Sequence, residues 1–166
     1  AIRRIVSLDD NPPIEALYNT NMIPAIISLM DYKKHNNEKI TIEATWIIGN
    51  TASSDLKFVQ YIVDQGAIVR AISLLDHPNE DIKDNAVFIL SNIAGESSEY
   101  RDILIQRDIA SRLAKVLSAL TYSPTFIAHC MWLISNICKK PYPEFYEVIG
   151  FYSRDNSLGD TLLGAT

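Results

Sequence analysis

The sequence predicts an all-α solenoid, and three observations predict it. An aromatic residue followed four places later by asparagine occurs three times, as Trp46/Asn50, Phe88/Asn92 and Trp132/Asn136. The three asparagines lie 42 and then 44 residues apart. A second ladder, Asn21, Gly66 and Asp108, runs in register with the first, and no segment shows the alternation of a half-buried strand.

A period of this size is that of stacked helical repeats of the armadillo and HEAT kind, here with three helices each. Taken in order, Ala1–Leu8 reads as the end of a third helix. A short first helix follows at Pro13–Tyr18, with Asn11 as its cap and proline tolerated in the first turn. Asn21, Gly66 and Asp108 each suit a break, because Gly and Asn tolerate positive φ and Asn and Asp can cap the next helix. Each is followed by an amphipathic second helix, such as the one carrying Ile68, Ala71, Ile72 and Leu75. Loops at Lys33–Lys39, Asp76–Asp81 and Leu120–Pro124 lead to long third helices that hold the aromatic and the asparagine. Pro141 begins another repeat that dissolves near residue 153. Residues 1–153 therefore read as one repeat domain, with a partial first repeat, three full ones and the start of another, and 154–166 as an irregular tail. Neither end resembles the polar cap a solenoid needs, so the ends imply self-association.

Composition narrows the function. The chain of 166 residues is 48% hydrophobic, which excludes disorder by composition. No apolar run reaches the roughly 18 residues of a membrane span, and the first residues show no signal-peptide core. The net charge of −5 argues against generic binding to nucleic acid and fits a basic partner. Cys130 and Cys138 lie eight apart in one predicted helix, roughly 12 Å along its axis. They cannot pair with each other, and they point to a reducing compartment, cytosol or nucleus.

Residues three and four apart share a helix face. Glu43, Trp46, Asn50 and Ser53 form one stripe, as do Asn85, Phe88, Asn92 and Gly95, and His129, Trp132 and Asn136. Ile40, Ala44, Ile47, Ile48 and Thr51 are then left to pack the first of these helices into the solenoid. Side by side, the stripes make a groove suited to an extended peptide. Each amide offers one acceptor and two donors to a peptide backbone. The rings between them form slots for a long aliphatic side chain bearing a cation. In the competing account the aromatics are core and the asparagines brace one repeat against the next.

The segments NPPIEAL, EATWIIGNTAS, VDQGAI, NAVFILSNIAGESSEYRD and WLISNICKKPYP resemble the armadillo domain of the importin-α family, over roughly Arg3 to Pro143. The resemblance places Trp46/Asn50 in the second repeat, Phe88/Asn92 in the third and Trp132/Asn136 in the fourth. It implies a right-handed armadillo superhelix that binds lysine- and arginine-rich nuclear localisation signals in its concave groove. The peptide-binding set it implies is Trp46, Asn50, Ser53, Asp84, Phe88, Asn92, Glu96, His129, Trp132, Asn136 and Lys139. The chain departs from the family at Phe88, where Trp is usual, and at Glu96, where an Asp holds the key lysine. It departs again at Val59, where a Thr lines that pocket, and at His129, where Asn is usual. The resemblance further implies an adaptor moving between cytoplasm and nucleus. Importin-β and the export factor would be engaged only through regions this sequence does not carry.

Other chemistry finds no support. His35 and His77 fall in polar stretches and read as solvated. No spacing suggests a metal site, phosphate loop or nucleophile, so the sequence predicts neither an enzyme nor a cofactor. The charged run Asn79–Asp84 reads as a solvated helix start, with Asp84 also at the groove's edge. A rival to the adaptor reading is an armadillo scaffold or assembly subunit that no longer binds basic signals.

Overall fold

The computed structural model describes residues 14–118 and 121–139. The expectations for Ala1–Leu8, the Asn11 cap, the repeat beginning at Pro141 and the tail at 154–166 lie outside the described residues. Ten helices are described. They are α1 Ile14–Asn19, α2 Ile23–Leu29, α3 Tyr32–His35, α4 Glu38–Ala52 and α5 Leu56–Asp64. After these come α6 Ala67–Leu74, α7 Glu80–Glu96, α8 Ser98–Gln106, α9 Ile109–Leu117 and α10 Pro124–Ile137.

The repeat emerges at the level of dihedral angles. Asn21, Gly66 and Asp108 all adopt positive φ, at 52°, 87° and 60°. Each forms the sharp bend between a first and a second helix, as their residue types suggested. None caps the following helix through its side chain: Gly66 and Asp108 make no such bond, and Met22 holds the position before α2. The third helices have side-chain caps instead. Asn37 accepts from the Ile40 N–H, Asn79 from those of Asp81 and Ile82, and Ser123 from that of Phe126.

The core lies between layers, not at a centre. The third helices α4, α7 and α10 pack side by side, and α2 and α6 pack beneath α4 and α7. On α7, Ile82, Ala86, Val87, Ile89, Leu90 and Ile93 are all fully buried, because helices cover it on both flanks and from below. Close approach depends on a missing Cβ at Gly49, where an added methyl would meet Phe88 Cδ1 at 2.9 Å. One expected core residue faces outward: Ile40, in the first turn of α4, is 37% exposed.

Polar ties one repeat apart fix the register. Arg70 reaches Asp31 at 2.7 Å and Lys115 reaches Asp76 at 2.8 Å. Asn79 donates to Glu38 at 3.0 Å, and Glu80 accepts from the Ser123 N–H at 3.1 Å. Lys83 corrects the expectation of a fully solvated helix start. It is buried, with its Nζ 2.8 Å from the Tyr122 hydroxyl and above that ring.

The two loop histidines also differ from expectation. The stretch at Lys33–Lys39 contains the one-turn helix α3, closed by Asn36 at φ 49°. His35 donates from Nε2 to the Leu29 carbonyl and accepts from the Asn37 N–H at Nδ1. His77 repeats the second bond, accepting from the Asn79 N–H at 3.1 Å, but is only 7% exposed and stands edge-on to Tyr32. The segments HNNE and HPNE are thus one recurring turn, in which the histidine organises the backbone before the asparagine cap.

Burial holds the His77 pKa below its ordinary value of 6.5. The unfolded chain therefore binds more protons between the folded value and 6.5, and stability falls as pH drops through that window. Thermal melts at pH 7.5 and 5.5 should show this loss, and His77→Gln should reduce it.

Candidate functional site

The three third helices bring the expected stripes onto neighbouring positions, but the three amides are not equivalent. Asn50 and Asn92 match. Each is half-buried and donates from Nδ2 to the carbonyl four residues back, Trp46 and Phe88 respectively, at 3.0 Å. That bond turns the acceptor Oδ1 away from the helix's own backbone. Ser53 lies one turn beyond Asn50 and donates to its carbonyl at 2.9 Å.

Asn136 departs from the pair and corrects the sequence reading. It is 1% exposed, and its Nδ2 donates to the Ser91 carbonyl of α7 at 2.7 Å, while its Oδ1 is buried without a partner. It braces α10 against α7 rather than presenting an amide to a groove. Gly95 accounts for this: the Asn136 Nδ2 lies 3.1 Å from where a Cβ on that glycine would stand. The residue one period earlier is Ser53, which is not a glycine and is exposed at the end of α4. Asn85 is also a brace, donating to Thr45 Oγ1 at 3.1 Å.

The aromatic ladder is closed at one rung. The Phe88 and Trp132 ring centroids stand 6.0 Å apart, tilted by 53°. An aliphatic chain between two rings needs two carbon contacts of about 3.5–4.0 Å each, so no open slot separates this pair. The contact is itself favourable, being a tilted aromatic pair within the usual range. His129 lies on Phe88 as well, at 5.6 Å. Trp132 remains 39% exposed, and Trp46 is half-buried against the core.

Charge on this face is acidic. The Asp84 carboxylate pairs with His129 Nδ1 at 2.6 Å across the α7–α10 seam. Glu96 is exposed at the last position of α7. The Lys139 side chain is exposed, and its carbonyl accepts from buried Arg101 at 2.7 Å. Val59 is fully buried in the core, so it lines no pocket. The two cysteines are free. Burial first, and then the Asp84 charge, push the Cys130 thiol up to about 11, which makes it a poor nucleophile. Among the described residues no group of three or more His, Cys, Asp or Glu could hold a metal, and no helix is long and apolar enough to cross a membrane.

Stacked three-helix repeats with an aromatic and amide stripe down the third helices define an armadillo-type solenoid. The chain belongs to the armadillo/beta-catenin-like repeat family, which matches residues 10–53 and 57–95. Its curated relatives make it a divergent, importin-α-like member. It is 30% identical over 149 residues to importin subunit alpha-1b of Oryza sativa subsp. japonica, across 88% of this chain and 27% of that protein. It is 28% identical over 157 residues to probable importin subunit alpha-A of Dictyostelium discoideum, across 86% of this chain and 28% of the relative. The chain thus spans little more than a quarter of the length of these relatives. Among solved structures, a designed armadillo repeat protein in complex with peptide (KR)4 superposes with a TM-score of 0.75 at 27% identity, covering 90% of this chain and 60% of that one.

The difference between the amides is measurable. In urea denaturation, Asn136→Ala should cost about 1 kcal/mol by removing a buried inter-helix hydrogen bond. Asn50→Ala should be neutral or slightly stabilising, since alanine is the better helix former.

Proposed function

We propose that the third-helix face binds an extended lysine- or arginine-rich peptide, in the manner of a nuclear-import adaptor that works in cytoplasm and nucleus. The carrying observation is the matched pair Asn50 and Asn92, one repeat apart, each fixed through Nδ2 to its own helix. Two acceptors held in this way are suited to successive N–H groups of an extended chain. Asp84 and Glu96 supply negative charge beside them, and Trp46 and Trp132 supply ring surface for the stems of basic side chains. The importin-α names of the relatives and the (KR)4 peptide of the designed neighbour support the same ligand class. Importin-β and an export factor would bind the whole adaptor elsewhere. This is a reading of binding, with no catalytic step.

A specific observation favours a second reading, the armadillo scaffold that has given up basic signals. Asn136 is withdrawn from the face, and the Phe88–Trp132 contact closes a rung. Under the adaptor reading, Trp132 must swing away when a peptide enters.

Anisotropy titration of a labelled monopartite basic peptide tests the proposal. Asn92→Ala should weaken binding several-fold, in keeping with roughly 1 kcal/mol per hydrogen bond, while Asn136→Ala should leave the affinity of the folded protein unchanged. Binding should also weaken with salt, as exposed charges are screened. Equal affinity for a lysine-free control peptide would favour the scaffold.

A further inference from the structure

A second surface lies away from the third helices. A cleft of about 990 Å³ opens between α3, α6, the α6–α7 loop and the start of α9, and no residue of α4, α7 or α10 lines it. Its charge is opposite to that of the whole chain. Five cationic side chains, Lys33, Lys34, Arg70, Arg107 and Arg112, face two carboxylates, Asp31 and Asp76, in a protein of net charge −5.

Both carboxylates are already engaged. Asp31 takes Arg70 at 2.7 Å and Lys34 at 3.9 Å, and Asp76 takes Lys115 at 2.8 Å and Arg112 at 3.6 Å. Neither Lys33 nor Arg107 makes a salt bridge or side-chain hydrogen bond among the described residues, and the Lys33 charge acts on Asp76 from farther off. Two further donors in the lining residues are buried and unsatisfied, His77 Nε2 and Arg112 Nε. Because His77 Nδ1 accepts from the Asn79 N–H, the ring proton sits on Nε2, which makes that atom a donor. Buried donors without acceptors are rare. Two of them lie in the walls of this cation-rich cleft, whose own two carboxylates are taken by other side chains.

We propose that this cleft binds an acidic peptide segment of a partner protein, with carboxylates meeting Lys33, Arg107, Arg112 and His77. The cleft's extent favours a peptide over a single small anion. So does an apolar patch within it, where Val69 is 48% exposed and can take an aliphatic side chain between acidic ones. This ligand is opposite in charge to the one proposed for the third-helix face, so the two surfaces can be occupied at once.

The test is anisotropy titration of the 166-residue chain with fluorescein-labelled octaglutamate, beside Lys33→Glu/Arg107→Glu and a control of equal charge change outside the cleft, Lys39→Glu/Lys57→Glu. Circular dichroism melts verify that both variants fold. The expected result is at least a tenfold loss for the cleft variant and less than twofold for the control, with the basic peptide retained by both. A shift of the His77 imidazole resonances on adding octaglutamate gives an independent readout. Absence of binding, equal losses in both variants, or an unmoved His77 overturns the proposal. Inorganic phosphate that displaces octaglutamate at comparable concentration also overturns it, in favour of a small-anion site.

Discussion

Everything in this molecule depends on one repeat burying its apolar face against the next. A solenoid has no central core to fall back on, and its stability is a sum over neighbours. The central third helix α7 shows the consequence. Its six large or small apolar positions from Ile82 to Ile93 are inaccessible to water only because α4 and α10 flank it and α6 lies beneath. That stacking needs backbones to come close, and Gly49 and Gly95 are where the missing Cβ allows it.

Apolar stacking alone would permit helices to slide by a turn. The polar ties that recur one repeat apart oppose this. Exposed ion pairs such as Lys115–Asp76 contribute little individually. The bonds from Asn79 to Glu38, from Ser123 to Glu80 and from Asn85 to Thr45 are directional, and each is satisfied in one register. Buried Lys83, with its Nζ over the Tyr122 ring and bonded to the hydroxyl, serves the same end. The register they set decides which residues meet at the seams, and so which side chains remain for a ligand.

The faces that result differ in chemistry. Down the third helices run rings, two outward amide oxygens and carboxylates. Beyond the second helices lies a cleft dominated by cations. The acidic total charge conceals this division, because charge counted along a chain carries no information on which helices face one another.

Much was legible in the sequence because it depends on local rules. The period of the aromatic–asparagine pairs, the break residues Asn21, Gly66 and Asp108, and the helical spacing of apolar residues follow from backbone sterics and from the geometry of one helix. These fixed the all-α class, the three-helix repeat and the stripe on which Trp46, Asn50, Phe88 and Asn92 lie. The burial of His77 and Lys83 was not legible, since each is covered or engaged by an aromatic residue some forty positions away. A signal did exist in HNNE and HPNE, which recur at the repeat period. Sequence alone gave Asn50, Asn92 and Asn136 one role, as they share a phase within their helices. Only the tertiary structure separated them, because an amide's fate depends on the neighbouring helix: a glycine beneath Asn136 lets it sink to a carbonyl of α7, and no residue within its own helix could report that.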